Sequence, residues 1–350
     1  MIASDKPFWH PDAFARRKPF LETRMRAIMA IRAYFLAENF AEVETPALQI
    51  SPGNEVHLQA FATEMKGPRP GASQKLYLHT SPEFTMKKLL VAGMPRIFQL
   101  AHAFRNGERS SLHHPEFLMC EWYRAQAGLA DIMQDCITMV RSAAQASARK
   151  SFAANGMSCD PFREWERLSV ADAFRRYVDI DLLATAPDPH APDAALLARE
   201  TERAGIRNAA DDSWDDLFFR IMGEKIEPKL GKDQPTFLCD YPISMAALAR
   251  PNANDPRVAE RFELYICGIE LANAFGELTD VAEQRRRFTA DVALKQKLYG
   301  EDYPVDEDFL KALEHGMPDA AGIAFGIDRL VMLCAGAANI EDILWAPVAS

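Results

Sequence analysis

Titratable and aromatic residues crowd one short stretch of this chain, Phe98–Ala125, FQLAHAFRNGERSSLHHPEFLMCEWYRA. It reads as strand, polar loop, strand. The loop Arg105–Pro115 supplies two arginines, a glutamate, two histidines and a glycine between the strand-like runs Phe98–Phe104 and Glu116–Tyr123. Alternation along the second run puts Phe117, Met119, Glu121 and Tyr123 on one face. A ring, a carboxylate and a phenol on one sheet face suit the floor of a pocket for a ligand with a flat ring and a cation.

No GxxxxGK[ST] loop and no GxGxxG turn occurs. A bound nucleotide would therefore have its phosphates held by side chains and metal. Arg105, Arg109 and Arg329 offer guanidinium forks. Glu263 and Glu270 are paired carboxylates of the kind that hold Mg²⁺ against phosphates. Their odd separation puts them on opposite faces of a continuous strand, so a turn or bulge near Gly268 is required. Further on, Asn273, Phe275 and Glu277 alternate onto one face as amide, wall and anion.

The elements that must position these groups are readable in outline. Residues 16–39 have Leu21, Met25, Ile28 and Phe35 at helical spacing. Ala41–Leu48 is a strand interrupted by Pro46. Residues 56–125 are strand-rich, with a turn at Gly67–Gly71 and a helix near Phe84–Val91. Residues 129–232 turn helical and include a proline-rich surface loop at 185–194. Two strands return over Arg257–Leu278, followed by a basic helix Glu283–Tyr299 and a final strand running into a helix. The expected organisation is one catalytic domain over 1–350 with a helical insertion at about 129–232.

Composition narrows the class. A net charge of −10 argues against a surface built broadly for nucleic acid. The six cysteines, at 120, 136, 159, 239, 267 and 334, never approach CxxC spacing, which suits reduced thiols in the cytoplasm. The start, MIASDKPFWHPDAF, lacks a signal-peptide core, and no stretch reads as a membrane span.

Taken in order, the Pro46 strand, AFRNGE (103–108) with HHPEFLMCEWY (113–123), and GIDRLVML (326–333) resemble the three motifs of class II aminoacyl-tRNA synthetases. TSPEFTMKKLLVAG (80–93) and RFELYICGIELANAFGEL (261–278) are similar to the lysine branch. That resemblance implies an α+β fold, a six- or seven-stranded antiparallel sheet flanked by helices. The first catalytic helix begins near Arg16, which leaves no room for the anticodon-binding barrel of lysyl-tRNA synthetases. With CEWYR, CGIELAN and HGMPDAAGIAFGIDR, the chain resembles the freestanding paralogues that attach (R)-β-lysine or lysine to elongation factor P. Ala324, where the tRNA enzymes have Gly, points the same way.

The resemblance also implies roles. ATP and Mg²⁺ would be used, with Arg105 bridging the substrate carboxylate and the α-phosphate. Phe117 would stack on adenine with Arg329 on its other face. Asn106, Gly107, His114, Glu270, Leu271 and Gly326 would touch ATP, and Glu263 and Glu270 would hold the metal. Gly107 and His114 depart from the family's usual Glu and Asn. In the loop Ser81-Pro82-Glu83, Glu83 would take the backbone-end amine. Glu121, Tyr123 and Glu277 would surround the ε-ammonium, beside Asn273 and Phe275, with Ala324 at the pocket wall. No tRNA partner is expected. The N-terminal helix and Pro46 strand would form a homodimer interface. A truncated lysyl-tRNA synthetase and a non-catalytic paralogue are the alternatives.

Overall fold

A computed structural model of the chain describes residues 6–53, 55–69 and 71–349. Met1–Asp5 and Pro70, which the sequence reading touches, lie outside the described residues. In chain order the elements are α1 (Pro11–Ala37), β1 (Ala41–Glu42), β2 (Leu48–Gln49), β3 (Ala62–Lys66), β4 (Ser73–Leu78), α2 (Glu83–Val91), β5 (Arg96–Phe104), β6 (Glu116–Ala125) and α3 (Leu129–Ala146). Then come β7 (Phe152–Ala154), β8 (Met157–Cys159), β9 (Glu166–Ser169), α4 (Val170–Val178), α5 (Ala194–Arg203), α6 (Trp214–Ile221), β10 (Thr236–Pro242), β11 (Val258–Ile266) and β12 (Ile269–Gly276). The last are α7 (Val281–Tyr299), α8 (Glu307–Gly316), β13 (Ala320–Gly326) and α9 (Ile327–Ala335). The chain divides into two compact units: residues 1–128, 138–149 and 279–350, and residues 129–137 and 150–278.

In the first unit, β5 pairs antiparallel with β6, β6 pairs antiparallel with β13, and β1 lies parallel to β5. The face of these strands that carries Phe98, Cys120, Trp122, Ile323 and Phe325 is fully or almost fully buried. Phe35 of α1 stacks on Phe98 with centroids 4.6 Å apart and meets Trp122 at 5.1 Å. Each large ring buried this way contributes about 1.5–3 kcal/mol. The buried side of α1 runs through Leu21, Arg24, Ala27, Ile31 and Phe35. Met25, expected to point inward, is half exposed, as are Met29 and Leu36. The helix begins earlier than expected because Pro11 is a favourable first helical residue, and His10 caps the Asp12 amide.

Arg24 pairs with Asp328 at the start of α9, and both side chains are almost wholly buried. The other Asp328 oxygen accepts the Leu118 amide of β6 at 2.9 Å. One carboxylate therefore ties the long helix, the central strand and the helix that bears Arg329. The outer strand β3 is exposed throughout and pairs with β4, which also pairs with β2.

In the second unit, β10, β11 and β12 are consecutive antiparallel neighbours, and β9 runs parallel to β10. The sheets are thus antiparallel in their main pairings, with parallel strands at β1 and β9, rather than antiparallel throughout. The helical stretch builds a core of its own against β10 and β11: Phe174 and Trp214 each stack on Phe218 at 5.4 Å, and Leu238, Tyr241 and Tyr265 join the same cluster.

Breaking the Arg24–Asp328 pair from one side leaves a buried charge uncompensated. Arg24→Met is expected to lower the unfolding free energy by about 3–5 kcal/mol in denaturant titrations. A loss smaller than about 1 kcal/mol would show that the pair does not fix α9.

Candidate active site

Register sets what surrounds Glu121. It pairs with Gln99 on one side and with Ala324 on the other, so all three share a face. Its neighbours along β6, Met119 and Tyr123, stand beside Ala101, Gly326 and Gly322. Ala324, Ala101, Gly322 and Gly326 bring little or no side chain to this face, Gln99 and Ile97 pack on it, and the Glu121 carboxylate is almost wholly buried. This is the face that the alternation of Phe117, Met119, Glu121 and Tyr123 predicts.

The loop before α2 closes on this carboxylate. Ser81 Oγ donates to Glu121 Oε1, and the Tyr123 hydroxyl donates to Oε2 at 3.0 Å. The same Ser81 oxygen accepts the Glu83 amide at 3.1 Å, and Pro82 occupies the α2 N-cap position. Glu83 is paired with Lys87, four residues on in α2, whose side chain is nearly inaccessible. Burial, and then the charge of Glu83, raise Glu121 to about 8 against the opposing pull of Ser81, Tyr123 and Lys87. Glu83 and Glu121, assigned from the resemblance to opposite ends of a dication, thus stand in one network joined through Ser81. Lys87 is absent from the sequence reading, although its spacing from Glu83 was the available signal.

A guanidinium waits beyond the end of β5. Arg105 lies over the Phe117 ring at 5.1 Å, and its buried Nε has no hydrogen-bond partner. Its backbone is fixed, since the Arg105 amide donates to Pro115 O at 2.9 Å and the Asn106 amide to Gln59 O at 2.7 Å. Gly107 follows with φ +82°, a conformation that glycine adopts freely. Arg329 meets His113 Nε2 at 2.6 Å. Burial, then the charge of Arg329, lower the His113 pKa, so the ring is a neutral acceptor.

Two sequence assignments change. Both ring nitrogens of His114 are engaged: Nδ1 donates to Glu116 O at 2.6 Å and Nε2 accepts the Val348 amide at 3.2 Å. Its ring is a strut for the loop and presents no nitrogen to ATP, whereas His113 stands at Arg329. Arg109, a phosphate candidate, is paired with Glu341 at 3.1 Å and donates to Val348 O.

In the second unit, the β11–β12 hairpin carries the other candidates. Cys267 and Gly268 both have positive φ and make the two-residue turn between paired Ile266 and Ile269. Pairing then slips: Leu264 faces Ala272, but Tyr265 faces Glu270. Leu271 is the extra residue of this bulge and is buried. The turn itself sets Glu270 opposite Tyr265, on the face of Glu263, and the slip brings Asn273, the direct partner of Glu263, onto that face as well. The turn at Cys267 and Gly268 is the feature that the odd spacing required.

Arg261 occupies the same face. It donates to Glu263 at 2.6 Å, to Asn273 Oδ1 at 3.1 Å and to Met245 O at 2.5 Å, and lies 4.2 Å over the Tyr241 ring. The Tyr265 hydroxyl donates to the second Glu263 oxygen at 2.7 Å. Among the described residues no three His, Cys, Asp or Glu side chains gather as a metal cage. Two carboxylates on one face nevertheless fit Mg²⁺, which takes one or two protein carboxylates and completes its shell with water and phosphate oxygens. Each Glu263 oxygen retains a lone pair for it. Phe275 pairs with Arg261, and buried Glu277 is held just past β12 by a bridge to Ala249.

Comparison with known proteins places the chain in a family. The sequence profile of tRNA synthetases class II (D, K and N) matches residues 14–349. The chain belongs to that family. Curated relatives named elongation factor P–(R)-β-lysine ligase include those of Yersinia enterocolitica, 38% identical over 99% of each chain, and Edwardsiella ictaluri, 37% identical over 97% of this chain and 98% of the other. The Salmonella arizonae protein of that name is also 37% identical over the same shares. Class II synthetases are ligases, and the α+β fold with helix-flanked sheets is the one this family membership requires.

Glu121 gives the site a pH signature. An unfolded Glu loses its proton near about 4.3, whereas folded Glu121 keeps it to about 8. Between those values the native state binds more protons than the unfolded one, so ligand-free stability falls as pH rises, by at most about 1.4 kcal/mol per pH unit. Glu121→Gln removes this contribution. Denaturant melts at several pH values between 5 and 8 should show wild type losing stability relative to the variant. Parallel pH profiles would contradict the assignment.

Proposed function

We propose that this chain is a cytoplasmic ATP-dependent ligase that activates (R)-β-lysine, or lysine, as an aminoacyl adenylate and transfers it to a lysine side chain of elongation factor P. The observation that carries the proposal is the buried Glu121 carboxylate. It is hydroxyl-bonded and beside the Glu83–Lys87 pair, and its ionised form is costly without a cation. An ammonium ligand supplies that cation, and an acidic or apolar amino acid does not. The names of the relatives support β-lysine as the substrate and elongation factor P as the acceptor.

Adenylation brings a carboxylate against the α-phosphate of ATP. The carboxylate oxygen attacks phosphorus, and pyrophosphate leaves with the bonding electron pair. Positive charge fixed in advance between the two anions lowers that barrier. The unpartnered Arg105 guanidinium is suited to the task, and Phe117 offers its ring to adenine. Arg329, propped by neutral His113, offers a second cation to the nucleotide. Asn106, Gly107 and Gly326 present backbone near these side chains. Glu263 and Glu270 would hold Mg²⁺, which supplies charge neutralisation to the phosphates when bound. Asn273, Phe275 and Glu277 are proposed to give the substrate an amide, an aromatic wall and an anion. The acceptor amine then attacks the activated carbonyl carbon, releasing AMP and its own proton. Nothing in this scheme calls on tRNA.

The half-exposed Met25, Met29 and Leu36 of α1, with Leu48 and Ile50 exposed after it, support a homodimer that covers this face.

Purified enzyme, ATP and elongation factor P incubated with each lysine isomer should give a mass increase of one lysine residue on the factor, largest with (R)-β-lysine. An unmodified factor alongside charged tRNA would refute the proposal. Ala324 stands directly opposite Glu121, and its methyl is proposed to face the substrate amines. Ala324→Gly should shift relative kcat/KM toward L-α-lysine by about tenfold or more, about 1.4 kcal/mol. An unchanged ratio would remove Ala324 from substrate choice.

A further inference from the structure

The far end of α7 carries three side chains that no role above uses. Lys295, Tyr299 and Tyr303 follow one another at four-residue intervals, the last just beyond the helix. All three reach the same segment, residues 55–60. Buried Lys295 donates from Nζ to Leu58 O at 2.5 Å and Val56 O at 3.0 Å, with Glu55 O at 3.4 Å. Tyr299 OH meets His57 Nδ1 at 2.8 Å. Tyr303 OH accepts the Ala60 amide at 2.9 Å and donates to Glu301 at 2.8 Å. The Lys295 ammonium also lies 4.5 Å from the Tyr303 ring centre.

A buried ammonium on main-chain carbonyls is an expensive device for fastening a loop, and a Met or Leu would fill the space at less cost. What the loop does explains it. The Gln59 carbonyl, in the middle of the segment, accepts the Asn106 amide at 2.7 Å instead of a bond from the clamp. Asn106 follows Arg105 directly. Main-chain hydrogen bonds thus run from the clamp through residues 58–60 to the turn that aims the Arg105 guanidinium.

We propose that Lys295, with Tyr299 and Tyr303, is a positioning group that holds residues 55–60 in register and so fixes the aim of Arg105. The inference rests on the proposed role of Arg105 for its effect on activity, but not for its effect on the loop. The hydrogen bonds of Lys295, Tyr299 and Tyr303 reach neither Glu121 nor Ser81 and Tyr123, so the clamp separates the two halves of recognition: releasing it disturbs the phosphate-facing arginine and leaves the Glu121 cluster intact.

Two measurements on the full-length protein test this. In Lys295→Met, hydrogen exchange of the Asn106 amide should accelerate about tenfold or more, because its acceptor loop opens locally. In ATP–pyrophosphate exchange with (R)-β-lysine, kcat should fall about tenfold or more while the KM for β-lysine stays within about threefold, the pattern of a misplaced reacting group. Lys295→Arg, which keeps a cation at the carbonyls, should recover part of both. Tyr299→Phe, at an exposed site, should show the same split more weakly, and serves if Lys295→Met does not fold. Unaltered Asn106 exchange in a folded Lys295→Met would overturn the clamp, and so would equal changes in kcat and KM. A wild-type protein silent in the exchange assay would instead refute the proposed function, and the amide exchange would still decide the clamp.

Discussion

Burial of the Glu121 carboxylate is the constraint around which the first unit is organised. A strand in the middle of a sheet ordinarily gives one face to the core, and β6 does so through Cys120 and Trp122. Its other face is buried as well, with Ala101, Gly322, Ala324 and Gly326 contributing little or no side chain around Glu121. A carboxylate in such a place needs hydrogen-bond donors, which arrive from Ser81 and Tyr123, and it keeps its proton until a cation replaces it. The Glu83–Lys87 pair beside it shows the same economy: each buried charge is either matched or held neutral.

The second unit solves a related problem with a resident cation. Arg261 is enclosed between aromatic rings and bonded to Glu263, Asn273 and a main-chain carbonyl. It holds two of the candidate ligands in fixed orientation before any substrate arrives. Because Glu270 and Asn273 share a face only through the Leu271 bulge, the hairpin's irregularity shapes the candidate site. The Asp328 carboxylate works in the same spirit in the first unit, spending its bonds on Arg24 and Leu118, while the adjacent Arg329 meets His113.

How much of this could be read from the sequence depended on the range of the forces involved. Alternation is local, so the shared face of Phe117, Met119, Glu121 and Tyr123 and the hairpin of β11 and β12 were legible. The need for a turn or bulge near Gly268 was legible as well, from the odd spacing of Glu263 and Glu270, and the turn meets it, whereas the bulge at Leu271 depends on pairing and not on residue type. The inward placement of Met25 failed because a long helix offers two apolar stripes, and only packing on Phe98 and Trp122 selects the one through Ala27 and Ile31. His113 and His114 are adjacent and chemically identical. A contact from Val348, more than two hundred residues away, decides which one is a strut. Lys87 and Lys295 were missed for a common reason: a lysine in a helix reads as a solvated face until its burial is known.

The central claim is that the buried Glu121 cluster receives the substrate's ammonium, exchanging a proton for a cation. Calorimetric titration of (R)-β-lysine into the ligand-free enzyme, in buffers of different ionisation enthalpy, measures that exchange directly. Near neutral pH the account predicts release of a substantial fraction of a proton, up to about one per site, falling toward zero above the Glu121 pKa of about 8. Binding that releases no proton at neutral pH, or that is unchanged by Glu121→Gln, would contradict it.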